Sequence, residues 1–183
     1  MKSHQTDNSH FEEKVMLRIE MLPDVNPLRV LDMFSGQGLI WKEVRNRTGK
    51  DIRVVSVDVK SIKNRIVLTG DNRKYRFDYN AFDVIDLDAY GVPFDQLEDL
   101  FLRCRSTMVV YVTYIQSQYG RLPVKMLNAI GYSKTMVNKI PTLFNRDGQK
   151  KFLNYLATRG VKNIKIYDTQ NHRKTYAGFI INE

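Results

Sequence analysis

The sequence predicts an α/β domain built on a mostly parallel sheet with helices on both faces. Three observations carry that expectation. Short strand-like apolar runs alternate with helix-period segments along most of the chain, which calls for parallel strands joined by crossover helices. Met108 to Thr113 is apolar throughout, as a strand covered on both faces must be. A glycine-containing turn, Ser35-Gly-Gln-Gly38, hands one strand directly to a helix.

The 183 residues, 43% hydrophobic and 27% charged, have the balance of one globular domain, expected over residues 11–183 behind a flexible N-terminal tail at residues 1–10. No apolar run approaches the roughly 20 residues of a membrane-spanning helix. The polar start also lacks the hydrophobic core of a signal peptide. Cys104 is the only cysteine and His4, His10 and His172 are scattered, so neither a disulfide framework nor a zinc cluster is expected, and a reducing cytoplasm is the expected home.

Taken in order, Phe11, Val15, Ile19 and Leu22 share one helical face, and Pro23 stops the pattern. Leu28 to Phe34 is the first strand, Leu39 to Arg47 a helix, and Asp51 to Asp58 the second strand. Ile66 to Leu68 is a short third strand, followed by a polar loop or broken helix from Gly70 to Tyr79. Ala81 to Asp86 is the fourth, with a helix at Phe94 to Arg105 behind it, and Met108 to Thr113 the fifth. Helices follow at Pro123 to Ile130 and Asp147 to Arg159, the second ending before Gly160 at a C-cap position. Strands near Asn163 to Tyr167 and Thr175 to Ile181 complete the chain. Ligand chemistry in such a sheet gathers at the carboxyl ends of the strands, where strand order reverses.

The turn after the first strand sits at that place. Its glycines permit positive φ and close approach of a ligand, and the helix beyond offers free N–H groups. The dinucleotide fingerprint requires a third glycine where Trp41 stands, and no Gly-Lys-Ser/Thr follows to make a Walker loop. Val54-Val-Ser-Val-Asp58 ends the second strand in an acid about twenty residues further on, the placement of a carboxylate that accepts hydrogen bonds from ribose hydroxyls.

Val30-Leu-Asp-Met-Phe-Ser-Gly-Gln-Gly38 resembles, position by position, the first motif of class I S-adenosylmethionine-dependent methyltransferases. The resemblance runs from about Leu28 to the C-terminus and leaves the lead-in helix outside. It implies the Rossmann-like class I fold, a seven-stranded sheet with an antiparallel C-terminal strand, and S-adenosylmethionine as cofactor. It also implies a set of cofactor contacts: Asp32, Phe34, Gly36 and Gly38 under the methionine end, Asp58 and Val59 at the ribose, Asp71 and Asn72 at the adenine, and Asp86 in the fourth-strand motif.

Phe82 to Pro93, containing Asp86-Leu-Asp88-Ala-Tyr90-Gly91, is similar to the fourth motif of the tRNA guanine-N2 dimethyltransferase family, with Ala89 and Val92 where that family has Pro and Ser. An exocyclic amine needs an acceptor for its N–H and an aromatic surface for its ring. The resemblance makes Asp88 the catalytic acceptor or base and Tyr90 the platform. Cytosine C5 chemistry is excluded, because it needs a thiol after the fourth strand and Cys104 lies in the following helix. The mixed stretches Arg73 to Phe77 and Tyr111 to Arg121, with Tyr114 and Tyr119, border a base-binding cleft or simply pack in the core.

Charge is uneven. Residues 1–99 hold 15 Lys/Arg against 17 Asp/Glu, whereas residues 100–183 hold 14 against 3. A basic C-terminal half of this kind supplies counter-charge to phosphates, which makes nucleic acid the expected partner. A methyltransferase of an exocyclic base amine is therefore the leading expectation. A cofactor-binding module without catalysis and a protein or small-molecule methyltransferase stand beside it.

Overall fold

The computed structural model describes residues 10–116, 121–168 and 174–182. Nearly all of the expected N-terminal tail, together with His4, Tyr119 and His172, falls outside them. Seven strands form one sheet: β1 (Leu28–Asp32), β2 (Ile52–Asp58), β3 (Leu68–Thr69), β4 (Val84–Leu87), β5 (Met108–Ile115), β6 (Lys165–Asp168) and β7 (Lys174–Ile181). Their spatial order is β3-β2-β1-β4-β5-β7-β6. β1 to β5 pair in parallel and β7 runs antiparallel between β5 and β6. The order reverses between β1 and β4, which places the topological switch at the ends of those two strands.

Side chains of β1, β4 and β5 are buried on both faces, and their alternation separates two cores. Val30, Val84, Val109 and Tyr111 pack under α1 (Phe11–Glu20) and α2 (Leu39–Thr48). Leu31, Ile85, Val110 and Val112 pack under α3 (Phe94–Arg103), α4 (Val124–Ala129) and α7 (Gly148–Thr158). α1 lies close against the sheet because Gly178 of β7 gives it room: a Cβ there would stand 2.6 Å from Met21 Sδ. Gly160 takes a left-handed φ of 77° after α7, as a helix stop requires.

Several elements differ from expectation for local reasons. The third strand is only Leu68–Thr69, and Ile66 is fully exposed; the backbone ahead of it is held off the sheet by Arg65, which turns inward to Gly36 and Ser56. β4 starts at Val84 because Asp78 caps a 3-10 turn, Tyr79–Ala81, that takes up the preceding residues. The stretch without an expected element holds α5 (Lys134–Lys139), capped by Ser133 Oγ accepting from Met136 N, and α6 (Pro141–Phe144). Val137 and Phe144, seven residues apart, are its buried anchors. Tyr111 and Tyr114 are core residues, each 1% exposed or less. Among the described residues no helix is long and apolar enough to cross a membrane.

Candidate functional site

A cleft of about 1040 Å³ opens at the carboxyl ends of β1, β2 and β4. Its first wall is the turn after β1. Ser35 N donates to Val57 O (3.0 Å) and Gly38 N to Ser35 O (2.7 Å), which bends the chain back over β2. Gly36 and Gly38 take φ of 45° and 66°, strained for any residue with a Cβ. An added Cβ at Gly38 would also meet the Arg65 guanidinium at 2.3 Å and push that flexible side chain off the turn. Arg65 Nη1 donates to Gly36 O (2.6 Å) and so fixes the turn from behind. The Ser35 hydroxyl is buried at this bend with no hydrogen-bond partner among the described residues.

Opposite the turn, Asp58 Oδ2 accepts from Gly36 N (2.9 Å) and Oδ1 from Lys60 N (3.0 Å). Each oxygen keeps a lone pair for a ligand, and the carboxylate is aimed by backbone alone. Val59, 71% exposed, stands at the rim beside it.

The floor is set by strand register. Asp32 pairs with Ser56 on one side and Asp86 on the other, so two carboxyl groups meet on one face of the sheet. Asp86 also pairs with Tyr111, and Asp88 stands one pleat beyond it, beside Thr113 of β5 and, across from that, Tyr176 of β7. Two cations from α1 reach down to this floor. Arg18 holds Asp86 in a fork, Nε to Oδ2 at 2.8 Å and Nη2 to Oδ1 at 2.7 Å, with both side chains 2% exposed. Trp41 Nε1 donates to the same carboxylate (2.8 Å). Lys14 Nζ donates to Asp88 Oδ2 (2.8 Å) and Thr113 Oγ1 to Oδ1 (2.5 Å).

Three carboxyl groups thus meet two cations, and Asp32 is the one without an ion pair among the described residues. Burial, and then the neighbouring Asp86 charge, push its carboxyl well above the ordinary aspartate range. Asp88 goes the other way. Burial opposes its ionisation, but the charges of Lys14 and Arg18 and its two hydrogen bonds outweigh that and hold the carboxyl below the ordinary range. Such a group is a permanent hydrogen-bond acceptor and a weak proton base.

Most residues singled out in the sequence converge here. Asp32, Phe34, Gly36, Gly38, Asp58, Val59, Asn72, Asp86, Asp88 and Tyr90 all line the cleft, and Tyr90 is 88% exposed at its mouth. Two behave differently from expectation. Asp86, expected at a cofactor, has both oxygens committed to Arg18 and Trp41, because a carboxylate this buried needs a full set of partners. Asp71, expected at the adenine, caps the turn Asn72–Lys74 and pairs with Arg73, which lowers its carboxyl to about 2; it does not line the cleft. Asn72 does line it, with Nδ2 donating to Met33 O and Oδ1 accepting from Gln96. The sequence reading missed Lys14, Arg18, Trp41 and Thr113. A signal existed: Lys14 and Arg18 stand among Phe11, Val15, Ile19 and Leu22 on the face of α1 that turns to the sheet, where an unpaired charge would not survive.

No family model matches the sequence, and no curated protein matches it. Solved structures do. A possible exported protein from Bordetella parapertussis is 9% identical, with 93% of this chain and 66% of that one covered and a TM-score of 0.58. TYW2 of M. jannaschii, in complex with AdoMet, is 12% identical over 98% of this chain and 78% of that one, TM-score 0.57. Precorrin-6y C5,15-methyltransferase from Geobacter metallireducens is 11% identical over 100% and 93%, TM-score 0.57. The chain therefore spans just under two thirds of the length of the Bordetella protein and more of the other two. At these identities the likeness concerns architecture: the chain has the Rossmann-like class I methyltransferase fold, with its seven-stranded sheet and antiparallel β7.

Proposed function

We propose that the protein is an S-adenosylmethionine-dependent methyltransferase that acts on an exocyclic base amine of nucleic acid. The observation that carries the reading is Asp32, a buried carboxyl group with no ion pair among the described residues, lying under an open glycine turn. A buried carboxyl group without a cation ionises most readily beside a cationic ligand, and S-adenosylmethionine brings both an ammonium and a sulfonium. Its remaining groups fit the rest of the cleft. Asp58 has free lone pairs where two ribose hydroxyls would lie, Val59 offers an apolar edge beside them, and Asn72 closes the far side. The M. jannaschii neighbour holds AdoMet in the same architecture. When bound, the cofactor supplies a methyl group on a sulfonium, transferable to a nucleophile with release of a neutral thioether.

The chain's own residues bind and aim. The turn at Gly36 and Gly38 and the carboxylate of Asp58 grip the two ends of the cofactor, and Asp32 neutralises its amino end. Asp88 accepts a hydrogen bond from the acceptor's N–H, and Tyr90 gives the base a face to stack on. Arg121, Lys125, Lys134, Lys139, Arg146 and Lys150 form no ion pair among the described residues, so they are available to phosphates. The test is incubation with methyl-labelled cofactor and separate pools of tRNA, rRNA, DNA and protein. Label is expected in nucleic acid, weakening steeply with salt. Label in protein alone would overturn the substrate, and no label despite cofactor binding would leave a binding module.

A further inference from the structure

Of the two α1 cations, Arg18 is spent on a fully buried carboxylate, whereas Lys14 opens onto the cleft. Its ammonium lies 2.8 Å from Asp88 Oδ2 with the two side chains 11% and 14% exposed, and 5.1 Å from the centre of the Tyr176 ring. Asp88 is therefore gripped from both sides, by Lys14 at one oxygen and by Thr113 at the other. Phe11, one turn before Lys14, also lines the cleft, together with Ile115 and Tyr90. The lead-in helix thus supplies part of the wall on the Asp88 side, away from the glycine turn.

Resting on the methyltransferase reading, we propose that Lys14 is a positioning residue for the methyl acceptor: it holds Asp88 as a fixed anionic hydrogen-bond acceptor, so that the site selects a neutral N–H donor. Lys14 itself does not touch the reacting atoms. A carboxylate already neutralised by one ammonium has little attraction left for a cationic amine, but its outward lone pairs still accept from a neutral amino group. Lys14 and Arg18 from α1, Asp32 from β1 and Thr113 from β5 act on Asp88 directly, and Asp86 of β4, Tyr111 of β5 and Tyr176 of β7 share its face of the sheet by register. Of these only Lys14 and Arg18 are cationic, and Arg18 is already committed to Asp86. Removal of the Lys14 charge leaves Asp88 to burial and to the neighbouring carboxyl groups, which favour its protonated form.

Lys14→Gln keeps an N–H donor and removes the charge, and Lys14→Arg keeps the charge. Methyl transfer to total RNA is measured between about pH 5.5 and about pH 7.5. The wild type and Lys14→Arg are expected to change by less than about twofold, and Lys14→Gln to lose about tenfold at the acid end relative to its own neutral rate. A Lys14→Gln profile parallel to the wild type overturns the proposal. Should the wild type bind cofactor yet transfer nothing to RNA, DNA or protein, the methyltransferase reading fails, and carbon-13 NMR titration of the Asp88 carboxyl decides the role of Lys14. A higher midpoint in Lys14→Gln than in the wild type supports it, and equal midpoints overturn it. If Lys14→Gln does not fold, Lys14→Met takes its place in the titration, with a raised midpoint supporting the proposal and an unchanged one overturning it.

Discussion

On the side of the cleft under β1 and β2, one short stretch of chain supplies both carboxyl groups, Asp32 and Asp58, and nearby backbone amides aim them: Phe34 N at the first, Gly36 N and Lys60 N at the second. On the side under β4 and β5 the groups are Lys14, Asp88, Thr113 and Tyr176, brought together from separate parts of the chain by strand register and by the docking of α1. Charge differs as well. The first side keeps a carboxyl without a cation among the described residues, Asp32, while the second neutralises its carboxylates with Lys14 and Arg18. A buried carboxyl group without a cation costs stability when it ionises, so its presence beside an open cleft points to a cationic ligand that matches it.

Breaking the compensated side has the largest expected effect. Arg18→Met leaves Asp86 buried with only Trp41 as partner, and should cost about 3–5 kcal/mol in urea unfolding. Asp88→Asn keeps the shape of the acceptor side but removes its charge; methyl transfer is expected to fall about tenfold to a hundredfold, with cofactor affinity retained in calorimetry. On the other side, Asp58→Ala should weaken cofactor binding about tenfold or more, by loss of two hydrogen bonds to a charged acceptor, without altering the Asp88 side. The smallest effect has the opposite sign. The Asp32 carboxyl is raised, so the folded state holds its proton more tightly than the unfolded chain does, and stability falls as pH rises past the ordinary aspartate range. Asp32→Asn removes that cost and should stabilise the protein by ~1 kcal/mol at neutral pH while impairing cofactor binding.

The same contrast explains what is legible in the sequence. Asp32, Gly36, Gly38 and Asp58 form a local pattern whose spacing follows from one strand-turn-helix-strand unit, and they converge as expected. Most strands are also readable, because β1, β4 and β5 are apolar runs buried on both faces. The acceptor side is only half legible. Asp88 and Tyr90 lie in one motif, but Lys14 is 74 residues from Asp88 in sequence, and no local rule links them. The motif brings Asp86 to the cleft but says nothing of Arg18 and Trp41, which take up its oxygens. α5 and α6 leave little trace because they are short and mostly exposed, anchored by little more than Val137 and Phe144.

The most direct test is titration calorimetry of the wild type and of Asp32→Asn with S-adenosylmethionine. Saturable binding is predicted for the wild type, and weaker binding for Asp32→Asn, whose amide offers the ligand's cationic end no carboxylate. Well-folded wild-type protein that gives no binding heat, or an Asp32→Asn variant that binds as tightly as the wild type, would contradict the account.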